Sequence, residues 1–176
     1  RYGASFIGML DRDETALQAV QFSLDGQGLL SSEELLLCDI RDEAALQGIV
    51  QSVQPDIVFH AAALKHLPLL EQFPDEAYKT NVLGTINVLQ ASANALVPVL
   101  VNISTDKAAD PISTLGKTKL LTEQLSAGCP APEDGRYLSV RFGNVLGSRG
   151  SVLTTFRRQI ANGGPVTVTH PDVERY

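Results

Sequence analysis

The feature that most constrains this fold is a regular alternation of short apolar runs with longer amphipathic segments. The apolar runs have the length and composition of buried strands. They lie at residues 4–10, 35–38, 57–60, 99–103 and 137–141. Strands that alternate with helices of about ten residues or more indicate βαβ units. The sequence therefore predicts an α/β fold, a doubly wound parallel sheet of the Rossmann type.

The segments between the runs carry helical spacing. They predict helices at residues 14–24, 43–53, 75–95 and 152–161, and one that begins after a cap at Ser113 or Thr114. We expect residues 64–73 to be irregular, residues 163–165 to form a turn, and residues 166–168 to form a short last strand. No internal repeat or linker is visible, so residues 1–176 are expected to be one partial dinucleotide-binding domain. A substrate-binding part would begin at about 143–176.

One expected element is missing from the pattern. Dinucleotide-binding folds carry a glycine-rich turn between their first strand and helix, whereas Gly26 and Gly28 follow a predicted helix. The first apolar run ends near Asp11, as the second strand of such a unit does. We therefore expect a fragment that lacks the first strand and the Gly-rich turn, both of which would lie before residue 1.

The candidate active site follows the apolar run at 99–103. A hydroxyl, a carboxylate and an amine come next, from Thr105, Asp106 and Lys107, and Lys119 lies in the following helix. Ligands bind at the carboxyl ends of strands in open α/β sheets, so these groups are expected to converge there. Two neighbouring lysines would lower each other's pKa and make a base. The alternative is a surface ion pair, which contributes only about 0–1 kcal/mol.

Other strand ends carry candidate cofactor contacts. Asp11 would bind an adenosine ribose, and Arg12 would stack on adenine or meet a 2′-phosphate. The alternative for Asp11 is a solvated carboxylate at a helix start. Further candidates are Asp39 and Ile40 beside the adenine, and the small residues Ala61, Ala62 and Ala63, which permit close backbone approach.

Several polar residues have two interpretations. Lys65 and His66 would meet a diphosphate or a sugar, or would be surface charges. Asn81 would orient a ligand or brace its helix, since a buried asparagine needs hydrogen-bond partners. His60 is better explained as a satisfied strand-end histidine than as a base. The loop with Asn144 and Arg149 suits a phosphate.

Composition excludes several functional classes. A net charge of −6 argues against non-specific nucleic-acid binding. Cys38 and Cys129 are too few for a disulfide scaffold and lack metal-ligand spacing, so we expect two reduced thiols, no metal and a cytoplasmic location. No apolar run approaches the ~20 residues of a membrane span.

Five motifs, in order, identify a resemblance: HAAALKHLPLLE, TNVLGTINV, ISTDKAADP, RFGNVLGSRGSV and GGPVTVTHPD. They resemble the extended short-chain dehydrogenase/reductase enzymes of capsular polysaccharide biosynthesis. Those enzymes are nucleotide-sugar 4,6-dehydratases that act on UDP-N-acetylglucosamine. The match runs from about Phe6 to Tyr176.

The resemblance implies an NAD(P)-dependent lyase that oxidises sugar C4, deprotonates C5, eliminates water from C6 and returns hydride to C6. It makes Lys107 the base at C5, Asp106 the acid, Thr105 the group that orients the C4 oxygen, and Lys119 the residue that holds the nicotinamide ribose. It implies that Asn144 and Arg149 contact the diphosphate or the sugar of the substrate. Lys65, His66 and Thr169 are further candidate substrate contacts, although an edge strand would also explain Thr169. Asp11 favours NAD, whereas Arg12 would tolerate NADP.

One departure from the resemblance concerns Leu115. Many relatives read Tyr-x-x-x-Lys, whose tyrosine takes the C4 hydroxyl proton, but this chain reads Leu115-Gly116-Lys117-Thr118-Lys119. The base for C4 oxidation is therefore unassigned. A UDP-sugar 4-epimerase and a non-catalytic dinucleotide-binding protein stay open as alternatives. We also expect a homo-oligomer, with membrane anchoring only through parts of the parent chain that are not present here.

Overall fold

The computed structural model describes residues 3–26, 30, 32–143, 145 and 152–168. The chain divides into two compact units, Arg1–Phe142 and Gly143–Tyr176. The first unit holds all of the strands described below and the candidate active site. In the second unit, the described structure is one exposed helix and the turn that follows it.

The strands of the first unit form two parallel sheets. One pairs β1 with β2, and the other has the order β3-β4-β5. The register places His60 of β3 opposite Asn102 of β4, and Thr105 of β4 opposite Phe142 of β5. The strands are β1 (Met9–Asp11), β2 (Leu35–Leu37), β3 (Ile57–His60), β4 (Val99–Thr105) and β5 (Arg136–Phe142).

Helices connect the strands, as the alternation predicts. They are α1 (Glu14–Asp25), α2 (Glu43–Val53), α3 (Leu67–Gln72), α4 (Pro74–Ala77), α5 (Gly84–Asn94), α6 (Thr114–Gly128) and α7 (Val152–Ala161). A π-helical segment, Tyr78–Leu83, joins α4 to α5, and a 3-10 turn, Asp106–Ala108, follows β4. The side chain of Ser113 caps α6 by accepting from the Gly116 amide, so Ser113 rather than Thr114 is the cap.

Three sequence expectations about local structure were wrong. Residues 64–73 contain helix α3, because Pro68 lies in the first helical turn, where its missing N–H costs nothing. The strand predicted at 4–10 is reduced to Met9–Asp11, since its partner β2 is itself three residues long. Residues 166–168 are not a strand, because the Gln159 side chain binds the amide and hydroxyl of Thr167 in place of a partner strand.

The apolar core lies between α2, α5 and the sheet residues. Leu46 and Val50 of α2 pack with Val88 and Leu89 of α5 and with Leu100 of β4, and all five are buried. A smaller cluster joins Leu70, Ala77 and Leu115, with Leu64 and Leu67 against it. Burial of these side chains is the main source of stability for the unit.

The interface between β4 and α6 is polar. Asn102 donates to Thr122 Oγ1 at 3.2 Å and to Ser139 Oγ at 3.1 Å, and Ser104 donates to Glu123 Oε1 at 2.6 Å. Along α6, the hydroxyls of Thr118, Thr122 and Ser126 donate to backbone carbonyls one turn back. Every one of these hydroxyls is therefore hydrogen-bonded although it is buried.

Among the described residues, no helix is both long enough and apolar enough to cross a membrane.

Gly116 sets how closely α6 approaches the turn after β4. A Cβ at position 116 would overlap the carbonyl oxygen of Lys107 and lie 3.2 Å from Pro111. We expect Gly116→Ala to lower the free energy of unfolding by about 1–3 kcal/mol, because the clash is with backbone that cannot rotate away. Urea denaturation followed by circular dichroism measures the change.

Gly48 is the matched control, since it is helical, exposed and has open space around its Cα. Gly48→Ala should raise the free energy of unfolding by about 0.5–1 kcal/mol through helix propensity alone. An equal stabilisation by both substitutions would contradict the close approach of α6 to Lys107.

Candidate active site

The candidate site forms where β4 ends. Side chains alternate along β4, with Leu100, Asn102 and Ser104 buried and Thr105 half-buried at the carboxyl end. The 3-10 turn Asp106–Ala108 then redirects the chain, and Thr105 caps it by accepting from the Lys107 amide. This geometry presents the polar groups that follow the strand at the edge of the sheet.

Three of these groups meet at one atom. The hydroxyl of Thr105 donates to Asp106 Oδ1 at 2.8 Å, and the ammonium of Lys107 donates to the same oxygen at 3.0 Å. These two hydrogen bonds hold the pKa of Asp106 below its usual value. The side chains of Lys107 and Asp106 are 35% and 53% exposed, so a ligand can reach both.

Lys119 lies behind β4. Its side chain is buried, and its ammonium donates to the Ile103 carbonyl at 2.8 Å. Burial lowers the pKa of Lys119 to about 8, and the carboxylate of Glu123 acts in the opposite direction. The cause is desolvation rather than the neighbouring lysine that the sequence suggested. Of the four groups expected to converge, the Thr105 hydroxyl and the Lys107 ammonium both hydrogen-bond to the Asp106 carboxylate. The Lys119 ammonium instead binds the Ile103 carbonyl, two residues before Thr105 on β4.

His60 at the end of β3 has the structural role that the sequence favoured. Its Nε2 lies 2.8 Å from Thr85 Oγ1, and that hydroxyl donates its own proton to the Asn81 carbonyl. Nε2 must therefore carry the hydrogen. Burial, with the charge of Lys119, lowers the pKa of His60 to about 3, so the ring is neutral.

Asn81 is a brace within the fold. Its amide donates to the Leu64 carbonyl and to Thr118 Oγ1, and its carbonyl oxygen accepts from the Leu64 amide at 2.8 Å. It thereby ties the segment after β3 to helix α6. Leu115, which opens the Leu-x-x-x-Lys pattern, packs into the cluster with Leu70 and Ala77.

An open cleft of about 870 Å³ lies beyond β1 and β2. Arg12 and Asp39 line it and form an ion pair at 3.5 Å. Asp39 also accepts from Arg41, which lowers its pKa. Asp11 is exposed at the end of β1, and its carboxylate accepts from the Asp13 amide. The side chain of Ile40 is buried, so what it offers a ligand is backbone.

The remaining predicted contacts follow β3 or fall outside the described chain. Ala61 and Ala62 are exposed and Ala63 is half-buried, directly after β3. Lys65 and His66 are exposed, and His66 occupies the cap position of α3. The predicted substrate contacts Asn144, Arg149 and Thr169 lie outside the described residues.

The sequence interpretation missed Glu123. Its carboxylate accepts hydrogen bonds from Ser104 on β4 and from Arg141 on β5. The available signal was its spacing, since Glu123 lies four residues after Lys119 and therefore on the same helical face.

The residues present fit a nicotinamide dinucleotide. The exposed carboxylate of Asp11, the small exposed side chains of Ala61 and Ala62, and the buried amine of Lys119 each lie at or beside the carboxyl end of a parallel strand. Asp11 could accept from ribose hydroxyls and Lys119 could donate to them, while the small alanine side chains let a dinucleotide approach the backbone closely.

A family model described as "Polysaccharide biosynthesis protein" matches residues 1–176. The chain is 42% identical, over its full length, to an uncharacterized membrane protein of Methanocaldococcus jannaschii. It is 39% identical over 96% of its length to the probable polysaccharide biosynthesis protein EpsC of Bacillus subtilis. It is 38% identical over 97% of its length to the UDP-glucose 4-epimerase of Rickettsia prowazekii. The chain covers 52%, 28% and 49% of these relatives.

Solved structures give the same fold. Pen from Bacillus thuringiensis is 34% identical with a TM-score of 0.76, and the match covers 89% of this chain and 48% of Pen. The dTDP-4-dehydrorhamnose reductase of Bacillus anthracis, in complex with NADP, is 27% identical with a TM-score of 0.63, over 81% of this chain and 55% of the reductase. The fold is thus the predicted Rossmann-type α/β fold, and the chain belongs to the polysaccharide biosynthesis protein family.

Proposed function

We propose that this chain is the catalytic core of a nucleotide-sugar 4,6-dehydratase, an NAD(P)-dependent lyase of polysaccharide biosynthesis. UDP-N-acetylglucosamine or a similar UDP-sugar is the proposed substrate. The observation that carries the proposal is the meeting of Thr105, Lys107 and Asp106 at one carboxylate oxygen beside the end of β4. Membership of the polysaccharide biosynthesis family supports the pathway.

The Asp106–Lys107 pair suits an elimination. Transfer of one proton along its 3.0 Å hydrogen bond converts the ion pair into a neutral amine and a carboxylic acid. In the proposed reaction the amine of Lys107 removes the C5 proton, and the acid of Asp106 protonates the C6 hydroxyl as it leaves as water. The pair then regains its original charges, so protons balance over the step.

The other residues have supporting roles in this proposal. Thr105 would orient the C4 oxygen, and Lys119 and Asp11 would bind the two ribose units of the cofactor. The nicotinamide supplies a reversible hydride acceptor for C4 and a donor for C6. Asp11 places a negative charge where a 2′-phosphate would lie, and Arg12 is already paired with Asp39, so NAD is the favoured cofactor. Substrate contacts are proposed for Lys65, His66, Asn144, Arg149 and Thr169.

A UDP-sugar 4-epimerase is the second candidate. The 38% identity to the Rickettsia protein named UDP-glucose 4-epimerase favours it. An epimerase also oxidises C4 but eliminates nothing, so it has no use for an acid and base pair at C5 and C6. Leu115 leaves the C4 proton acceptor unassigned for either reaction.

The product identifies the reaction. We expect the full-length protein to convert UDP-N-acetylglucosamine into a 4-keto-6-deoxy sugar with loss of water, measured by mass spectrometry. Asp106→Asn should slow this by about 10²–10⁴-fold while reduced nicotinamide still accumulates, because C4 oxidation precedes the blocked elimination. Asp110→Asn, an exposed aspartate of the same loop, is the control and should retain the wild-type rate.

The other outcomes assign the alternatives. Formation of the galacto isomer without loss of water would identify an epimerase. Cofactor binding without a product from any UDP-sugar would identify a non-catalytic dinucleotide-binding protein. The homo-oligomer, the cytoplasmic location and any membrane anchor of the parent protein stay predictions.

Lys119 gives a prediction about stability and pH. Its pKa is about 8 in the folded chain and 10.5 when exposed, so between these values the unfolded chain holds a proton that the folded chain has released. The free energy of unfolding should therefore rise with pH across this window, by on the order of 3 kcal/mol.

The comparison with Lys119→Met isolates this effect. The variant also loses the hydrogen bond to the Ile103 carbonyl, but that loss does not depend on pH. The stability difference, wild type minus variant, should therefore grow between pH 7 and pH 10.5 in urea denaturation. A difference that is constant over this range would show that the Lys119 ammonium is well solvated.

A further inference from the structure

The carboxylate of Glu123 joins three elements at the back of the candidate site. Its Oε1 accepts from Ser104 Oγ of β4 at 2.6 Å and from Arg141 Nε of β5 at 2.9 Å. Its Oε2 accepts from Arg141 Nη2 at 2.7 Å. The Glu123 side chain, on α6, is only 14% exposed. The pair is bidentate, with the carboxylate largely buried and the Arg141 side chain 44% exposed. Two parallel hydrogen bonds make it more directional than an ion pair with a single contact.

The hydrogen bond from Ser104 to Glu123 constrains the carboxyl end of β4. Ser104 directly precedes Thr105 and Asp106, so the carboxylate fixes the backbone from which those groups project. Gly116, two turns earlier on the same helix, packs against the Lys107 carbonyl. Helix α6 therefore contacts the chain on both sides of Thr105 and Asp106. Its Glu123 binds Ser104 before them, and its Gly116 packs against the Lys107 carbonyl after them.

Glu123 also lies one helical turn from Lys119. The charged or titratable groups around Lys119 in the described chain are His60 from β3, Glu123 from α6 and, through Glu123, Arg141 from β5. His60 is neutral, so it contributes no charge at working pH. Burial opposes the protonated amine, and the carboxylate of Glu123 favours it. Arg141 shares that carboxylate and weakens its effect on Lys119.

We propose that Glu123 is a positioning residue: through Ser104 it holds the end of β4 in place, and its charge acts on the Lys119 ammonium one helical turn away, with Arg141 limiting that influence. A protonated amine has three donors. One is used by the Ile103 carbonyl, which leaves two for ribose hydroxyls. The role of Lys119 toward the cofactor depends on the proposed function, whereas the effect of Glu123 on Lys119 does not.

The test measures Lys119 directly, in full-length protein with 13C-labelled lysine side chains, titrated by NMR without substrate; Lys119→Met assigns the signal. Glu123→Gln keeps the size and the acceptor for Ser104 but removes the charge. We expect it to lower the pKa of Lys119 by about half a unit or more. Arg141→Met should raise the pKa, because it frees the carboxylate.

Glu71→Gln is the matched control. Glu71 also holds α6, through the amide and hydroxyl of Thr114 at 2.8 and 2.9 Å, but it is not among the groups that act on Lys119. This variant should leave the Lys119 titration unchanged. A shift of the Lys119 pKa in Glu123→Gln but not in Glu71→Gln would therefore come from the lost charge near Lys119 and not from a lost attachment of α6.

Two results would overturn the proposal: no shift in Glu123→Gln, or a downward shift in Arg141→Met. The opposite sign expected for Arg141→Met keeps the test decisive if Glu123→Gln fails to fold. The pH dependence of cofactor affinity should move with the titration. If the pKa shifts occur as expected but the wild type makes no dehydrated product, the proposed function fails and the role of Glu123 is upheld.

Discussion

The structure depends on the packing of polar groups between β4 and α6. Asn102 and Ser104 point from the strand toward Thr122 and Glu123 on the helix, and each is hydrogen-bonded there. A buried polar group without a partner costs about 1–3 kcal/mol. The helix must therefore dock in one register on the strand. Apolar packing alone would tolerate a small slip, whereas this network does not.

That single register has a consequence for the site. It places the Lys119 ammonium on the Ile103 carbonyl and brings Gly116 against the Lys107 carbonyl. The reactive-looking side chains of Thr105, Asp106 and Lys107 then lie in the exposed turn beyond the strand. Helix α6 therefore positions both the buried amine of Lys119 and the turn that carries the exposed Asp106–Lys107 ion pair.

Two strand edges in the described structure are unpaired, as they would be if the upstream strand expected from the sequence lay between them. Within the described residues, β1 and β3 are each paired on one side only. A strand lying between β1 and β3 would supply hydrogen-bond partners to both of these edges. The expected upstream strand has this property, and its presence stays a prediction.

The sequence by itself determined the class of fold, the alternation of β1 to β5 with the longer helices, the placement of Asp106 and Lys107 beyond a strand, and the structural role of His60. Each follows from a local pattern: apolar periodicity, turn residues and strand ends. The tertiary structure decided the length of β1, the helical state of Leu67–Gln72, the burial of Lys119 and the importance of Glu123. These depend on partners distant in sequence. Helix α6 shows the reason most clearly, because the side chains of Lys119 and Glu123 find their partners only on β4 and β5, and no apolar stripe marks that face of the helix in the sequence.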